Sequence, residues 1–414
     1  MMEKMRSLSI TAWIFIGMIL GIIVGFIVGA PMENVAFVGT MWIKLMKIAL
    51  APIVLVMIAK SIGEQNNAQK IGFVAVAIMI YYVFTTFLAS LIGIGAASIT
   101  KVGVGFEGLG DAEAASLQAS DMTIESFCLN LVPDNLLKPL VEMTMLQVLV
   151  LGVILGCAIL LMKQGDTKQS ILKGLEALQA LLNGILNLGM KFAPIGIFCS
   201  MAALIGAHGG TILGSLAGFL GTMLLGLIGQ TVIVYSMVVL LIVRKNPITF
   251  LRRMGKSMMI ALTTSTSLLA VPSNLEVCKQ YEVDEEISNF TIPLGAVFNL
   301  DGAAVFFPCV IMFAAQAFGK EFSFGTLLYM AIMGTVIASS GGGIVGGSLV
   351  KAMVLCDMFG VPNAVITLIT SVYIILDSLI TATNVTGDVA GTLMVSALDK
   401  RRRERKSVKQ TQVV

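Results

Sequence analysis

The chain is poor in charge and almost without histidine. Only 12% of its 414 residues are Asp, Glu, Lys or Arg, and His208 is the sole imidazole. Soluble domains carry about a quarter charged residues, so a soluble enzyme of this length, built from two or three polar-surfaced domains, is excluded. Intrinsic disorder needs low hydrophobicity and high net charge. Here 57% of residues are hydrophobic, mean hydropathy is +0.94, and 27 basic residues against 24 acidic ones leave only +3. The six cysteines form no CxxC pair, so zinc, haem and iron–sulfur centres lack their usual ligands. The cysteines read as small apolar packing residues. His208 sits among glycines, Gly206 to Gly210, and reads as a loop residue, not a member of a catalytic triad. A GxxxxGK[ST] phosphate loop is also missing, so ATP is not the energy source.

What is present is apolar length. Residues 10–29 form a run of about 20, long enough to span a bilayer and longer than a signal-peptide core; they read as an uncleaved first helix. Further spans fall near 35–60, 71–99, 139–162, 178–206 and 211–243. Lys4 and Arg6, Lys60 and Lys70, Lys163 to Lys173, Arg244 to Lys256 and Lys400 to Lys409 fall on one side, with little but Lys101 and Lys138 opposite. The positive-inside rule makes both termini cytoplasmic and the number of crossings even.

Beyond Lys256 the pattern changes. Residues 257–281 carry TTSTS (Thr263–Ser267) and Pro272, and 331–356 carry ASSGGG (Ala338–Gly343) and Gly346–Gly347. Glycine and proline cost a helix interior about 1 and 3 kcal/mol each, so both runs should break at their centres. Irregular backbone at membrane depth is tolerated where it lines a cavity. Each broken segment precedes a long apolar helix, 287–317 and then 363–397, the repeat sign of a transporter's central site.

Polar residues in these helices lie on single faces. Asp377, Thr381, Asn384 and Asp388 fall within roughly a 60° stripe at 100° per residue. Asn299 and Asp301 precede Gly302, and Tyr82, Thr85 and Thr86 share a face of span three. No Lys or Arg lies between Gln280 and Gly319 or between Ala352 and Asp399, which leaves Lys351 or a residue elsewhere as the possible local cations. The carboxylates therefore need protonation or a bound ion. Oxygen-only surroundings suit hard cations: sodium first, with protons as competitor.

At these residues the chain resembles the dicarboxylate/amino acid:cation symporters, the family of the glutamate transporters. The resemblance rests on NLDG (299–302), IPLGA (292–296), APIGIF (193–198), the serine-rich segment before Pro272, and NVTGD (384–388). It implies an all-α polytopic membrane protein with eight transmembrane helices and two re-entrant helical hairpins, an elevator-type fold, and a homotrimer. Residues 1–256 would supply helices 1 to 6, scaffold and trimerisation elements with helices 3 and 6 joining the transport domain. Residues 257–414 would supply hairpin 1, helix 7, hairpin 2, helix 8 and a cytoplasmic basic tail.

The same resemblance implies two to three sodium ions as co-substrates. One site would use Asp388 with Gly295, Asn299 and Asn384. A second would use Tyr82, Thr85, Thr86, Asn299 and Asp301. A third, mainly of backbone near Val297 and Ser339, has Leu300 where the family has methionine. Substrate would lie among Ser265, Thr266, Ser267, Gly342, Gly343, Asp377, Thr381 and Asn384, with its ammonium on Asp377. Acidic-substrate carriers place an arginine where this chain has Ile380, or ahead of the hairpin serines where it has Ser265; the supporting acid is Tyr373 here, and Ala303 replaces a threonine. Short matches, GGSL, CDMFG and DSLITATN, resemble the sodium:serine/threonine branch.

The expectation is sodium-coupled uptake of small neutral amino acids (serine, threonine or alanine) across the plasma (inner) membrane. The partners are then sodium, substrate and lipids, with no nucleic acid. The alternative is a sodium- or proton-coupled carrier of acidic amino acids or C4-dicarboxylates. A channel or an intramembrane hydrolase fits less well, because the only candidate acid pair, Asp301 with Asp388, sits in Asn/Gly motifs suited to cations. The chain is not expected to be an enzyme.

Overall fold

The computed structural model describes residues 10–64, 73–106, 132–142, 145–163, 165–209, 211–339 and 347–411. Among the described residues every regular element is helical. The apolar runs ahead of residue 257 become α1 (Ile10–Val28), α2 (Ala36–Lys47), α3 (Leu50–Gly63), α4 (Phe73–Thr100), α5 (Met145–Leu161), α6 (Asp166–His208) and α7 (Thr211–Ile228). The run at 35–60 is divided between α2 and α3, and α7 continues in π-helical form over Gly229–Tyr235 and Val238–Val243. Among the described residues, three helical stretches are long and apolar enough to cross a bilayer by themselves: Phe73–Thr100, Gly214–Val243 and Glu285–Ala317. A fourth arises if the bent pair Asp166–Leu186 and Lys191–Ala207 is one span. Helix length and composition thus support a multi-pass protein.

Two packing groups stand out. In the first, α6 runs along α1 and α2 while α5 packs on α3. Small residues make the α1–α6 approach: a Cβ on Gly21 would fall 2.6 Å from the Phe198 carbonyl oxygen, and one on Gly25 2.8 Å from that of Ala202. Spaced four apart, these glycines let two backbones meet, the usual device where lipid offers no hydrophobic drive to associate. In the second group the centre is α11 (Asp301–Ala317), packed by α4, α7 and α14 (Asn363–Thr411). Residues Asp301 through Ala315 are all buried, as an all-round apolar helix requires. Pro308 removes the N–H that would bond the Ala304 carbonyl, and Ser90 Oγ–H donates to that oxygen instead at 3.3 Å.

The C-terminal half departs from the expected boundaries in four places. The first hairpin begins at Pro247, not 257: α8 (Pro247–Thr264) starts from Asn246, whose side chain accepts from Ile248 N–H at 2.8 Å, with proline at the first helical position. It breaks at Ser265–Thr266, and Pro272 lies inside α9 (Ser267–Gln280). As the sixth residue of α9, that proline deletes a single helical hydrogen bond. The run 287–317 is not one helix; α10 (Glu285–Phe298) ends at Asn299 and α11 starts at Asp301. The second broken segment starts at Phe324 rather than 331, with arms α12 (Phe324–Ala338) and α13 (Gly347–Met358). Its tip, with Gly342 and Gly343, lies outside the described residues.

Finally, α14 runs past 397 into the basic tail. Arg401 donates to the Ile242 carbonyl at 2.7 Å, Arg402 stacks on the Phe73 ring, and Arg403 pairs with Asp399 at 2.6 Å. The tail's first turn is therefore docked on the bundle.

Gly21→Leu is expected to cost about 1–3 kcal/mol through overpacking, lowering the thermal midpoint of the purified protein by several degrees. An unchanged midpoint would mean that α1 and α6 do not meet as described.

Candidate functional site

The break between α10 and α11 places Asp301 at the first position of a buried helix, where the amino-terminal dipole favours a negative charge. Its carboxylate is fully buried and met by neutral donors only. Thr86 Oγ1 donates to Oδ1 at 2.7 Å, while Gln230 Nε2 and Tyr235 Oη donate to Oδ2 at 2.9 and 2.8 Å. Thr85 lies 3.4 Å away but has a shorter bond to the Tyr81 carbonyl, 3.0 Å. A hydroxyl has one proton, so Asp301 has three firm donors.

Gln230 and Tyr235 escaped the sequence reading, and the reason is geometric. Five residues turn an α-helix through about 500°, so these two side chains would lie about 140° apart. The π-helical stretch Gly229–Tyr235 widens the turn to an i→i+5 repeat and brings both onto one oxygen. A lone amide in the apolar run GLIGQTVIVY was the available signal, since polar groups at membrane depth are costly.

Asp388 is the second fully buried carboxylate. Asn299 Nδ2 donates to its Oδ1 at 3.0 Å and to the Asn384 carbonyl at 3.2 Å. Asp388 Oδ2 and Asn299 Oδ1 are buried with no hydrogen-bond partner among the described residues. Two orphaned acceptors side by side on Asp388 and Asn299 are costly unless a proton or a hard cation sits with them, and oxygen-only donors fit sodium. Gly295 makes the arrangement possible: a Cβ there would stand 2.5 Å from Tyr82 Oη and 2.7 Å from Asp388 Oδ1. Among the described residues no three of His, Cys, Asp and Glu come together.

The structure regroups the expected ligands. Thr85, Thr86 and Asp301 do meet. Tyr82 turns away from Asp301, donates to the Thr291 carbonyl at 2.9 Å and flanks Gly295 beside Asp388. Asn299 likewise serves Asp388. The Gly295 carbonyl accepts the Asn299 N–H at 2.8 Å, so it is engaged within the helix end. Val297, half-buried, lies in the last turn of α10, where carbonyls lack helical partners. Ser339 follows α12, and its buried Oγ has no partner.

The expected substrate residues lie on α14 and the hairpin tips. Ser265, left-handed at φ 50°, pairs its Oγ with Ser378 Oγ at 2.9 Å; Thr266 and Ser267 follow at the start of α9, Ser267 buried. Asn384 Oδ1 accepts the Gly302 N–H at 2.8 Å, so its oxygen caps α11. Thr381 does not hold its hydroxyl ready for a ligand; it donates to the Asp377 carbonyl at 2.7 Å. Buried Asp377 accepts from Tyr373 Oη at 2.6 Å, and that same oxygen accepts the Leu349 N–H at 3.0 Å. Tyr373 thereby ties α13 to α14.

Carboxylates held by neutral donors at helix breaks, in a bundle of apolar helices, define a multi-pass membrane carrier rather than an enzyme. The chain belongs to the sodium:dicarboxylate symporter family, whose pattern it matches over residues 10–398. It is 30% identical to C4-dicarboxylate transport protein 2 of Mesorhizobium japonicum over 92% of this chain and 87% of that one. It is 28% identical to C4-dicarboxylate transport protein 2 of Bradyrhizobium diazoefficiens over 82% and 76%, and 27% identical to the C4-dicarboxylate transport protein of Paraburkholderia phymatum over 94% and 92%. The resemblance read from the motifs is thus correct at family level. The relatives' names favour the alternative of an acidic substrate over small neutral amino acids, and serine/threonine specificity finds no support.

Gly295→Ala is expected to destabilise the protein by about 1–3 kcal/mol and to abolish cation-induced thermal stabilisation. Tyr235→Phe, which removes one of three firm donors to Asp301, should cost about 1–2 kcal/mol. Unfolding midpoints measured with and without sodium test both variants; wild-type behaviour in either would sink the corresponding assignment.

Proposed function

We propose that the protein is a secondary carrier that takes up C4-dicarboxylates, driven by cations entering with them. The observation that carries this reading is the match of nearly the whole chain to C4-dicarboxylate transport proteins. The Asp377 environment supports it on physical grounds. An amino acid would present its ammonium to Asp377, whereas a dicarboxylate has none, and here Tyr373 Oη already donates to that carboxylate.

The cation-coupling role falls to Asp388 with Asn299, whose two orphaned oxygens suit sodium, with a proton as the competing ion. Asp301, already satisfied by Thr86, Gln230 and Tyr235, is a second, more tightly organised acid. Two entering cations offset the two negative charges of the substrate, and a third adds one net charge, worth about 2.3 kcal/mol per 100 mV. The two broken hairpins, 247–280 and 324–358, serve as the gates in this reading. Eight crossings, a homotrimer, cytoplasmic termini in the plasma membrane and a moving unit built from α4 and α7 to α14 complete the proposal.

Uptake of radiolabelled succinate into proteoliposomes, under an inward sodium gradient or a matched proton gradient, tests this directly. Sodium-dependent accumulation competed by fumarate and not by L-serine is expected; L-serine uptake without succinate uptake would overturn the substrate assignment. Asp377→Asn, which keeps an acceptor for Tyr373 but removes the charge an ammonium needs, should leave the succinate KM within about threefold of wild type, a change of about 0.7 kcal/mol. A loss of a hundredfold would point back to an amino-group substrate.

A further inference from the structure

A dicarboxylate needs a second positive contact, and the last helix does not supply one. Ile380 is fully buried and backed by the Gly302 backbone, and Ser265 is engaged with Ser378. Among the described residues two cationic side chains are buried, Lys168 and Lys351. Lys168 caps α5 by donating to the Leu160 carbonyl at 3.1 Å, within the α1–α6 group. Lys351 lies on α13, in the second hairpin. It is 3% exposed, and its Nζ donates to the Ala338 carbonyl at 3.0 Å, at the end of the facing arm α12.

Two features make Lys351 more than a brace. An ammonium carries three donors, and one carbonyl takes one of them. Among the described residues no carboxylate is paired with it, and the intervening residues 340–346 contain no acid. A buried charge without a counter-charge is costly, and an arriving anion relieves that cost. The arm that carries it also meets the last helix: Leu349, on the same helix α13, gives its N–H to Tyr373, which donates to Asp377. Ser339, next to Ala338, adds a buried hydroxyl without a partner among the described residues.

We propose that Lys351 is the anchor for the second carboxylate of the substrate, a specificity-determining role that rests on the dicarboxylate reading above. It places the selecting charge on a hairpin arm rather than on the last helix.

The test compares succinate with its monoamide, succinamate, as competitors of labelled succinate uptake in proteoliposomes of the full-length protein, for wild type, Lys351→Met and Lys351→Arg. Wild type should prefer succinate. Lys351→Met should raise the succinate KM by about tenfold or more, as expected for a lost charge-assisted contact, so that succinate is recognised no better than succinamate, whose own inhibition stays nearly unchanged. Lys351→Arg should retain the preference. Preserved discrimination in Lys351→Met overturns the assignment, as does an equal loss for both compounds, which marks a structural brace. Where wild type itself fails to recognise succinate, the dicarboxylate reading falls and the anchor falls with it; where wild type recognises succinate and only the Lys351→Met result fails, the anchor alone is refuted.

Discussion

The constraint on which the rest depends is the burial of Asp301 and Asp388 in the same bundle, with no lysine or arginine among the described residues paired to either. Bare carboxylates in such surroundings are prohibitively costly, so the chain arranges its breaks, its π-helical turn and its close glycines around them. Asp301 is satisfied internally, by Thr86, Gln230 and Tyr235. Asp388 is left half-satisfied, with Asn299 alone as donor. This inequality separates an acid satisfied within the fold from one with acceptor capacity to spare.

Other parts of the architecture follow from keeping backbone polar groups paired where water is scarce. The interruption at Asn299–Leu300 exposes helix ends, and the Gly302 N–H is met by Asn384 while the carbonyl freed by Pro308 is met by Ser90. The first hairpin holds its arms together through Ser257 with Ser273, at 2.9 Å, and reaches α14 through Asn274 to the Val385 carbonyl, at 3.1 Å. Hairpin and last helix thus form one hydrogen-bonded body around the acids.

Much of this was legible beforehand, and for definite reasons. Apolar runs reported helices because length and composition suffice for that, and the polar stripe of α14 was visible because an unbroken helix has a fixed 100° step. Motifs such as NLDG and NVTGD carried the family. The boundary of the first hairpin was missed although Asn246–Pro247 is a helix start with a known mechanism, because the basic residues after it were read as a loop. Pro272 misled in the opposite direction, since its cost depends on distance from the helix start. The substrate inference weighed the missing arginines at Ile380 and Ser265, and left Lys351 aside although it stood out as a possible local cation.

By itself the sequence determined that this is a helical membrane carrier with buried acids and too few cations to pair them, because hydropathy, charge content and the order of short motifs are properties of the chain alone. The tertiary structure decided which groups answer which acid. Asn299 went to Asp388, Gln230 and Tyr235 went to Asp301, Tyr82 went to the Thr291 carbonyl, and Lys351 went to the end of the facing hairpin arm. These partners are tens to hundreds of residues apart or, for Gln230 and Tyr235, aligned only by a π-helical turn. Pairings of that kind depend on how helices pack and where they break, which no local pattern encodes.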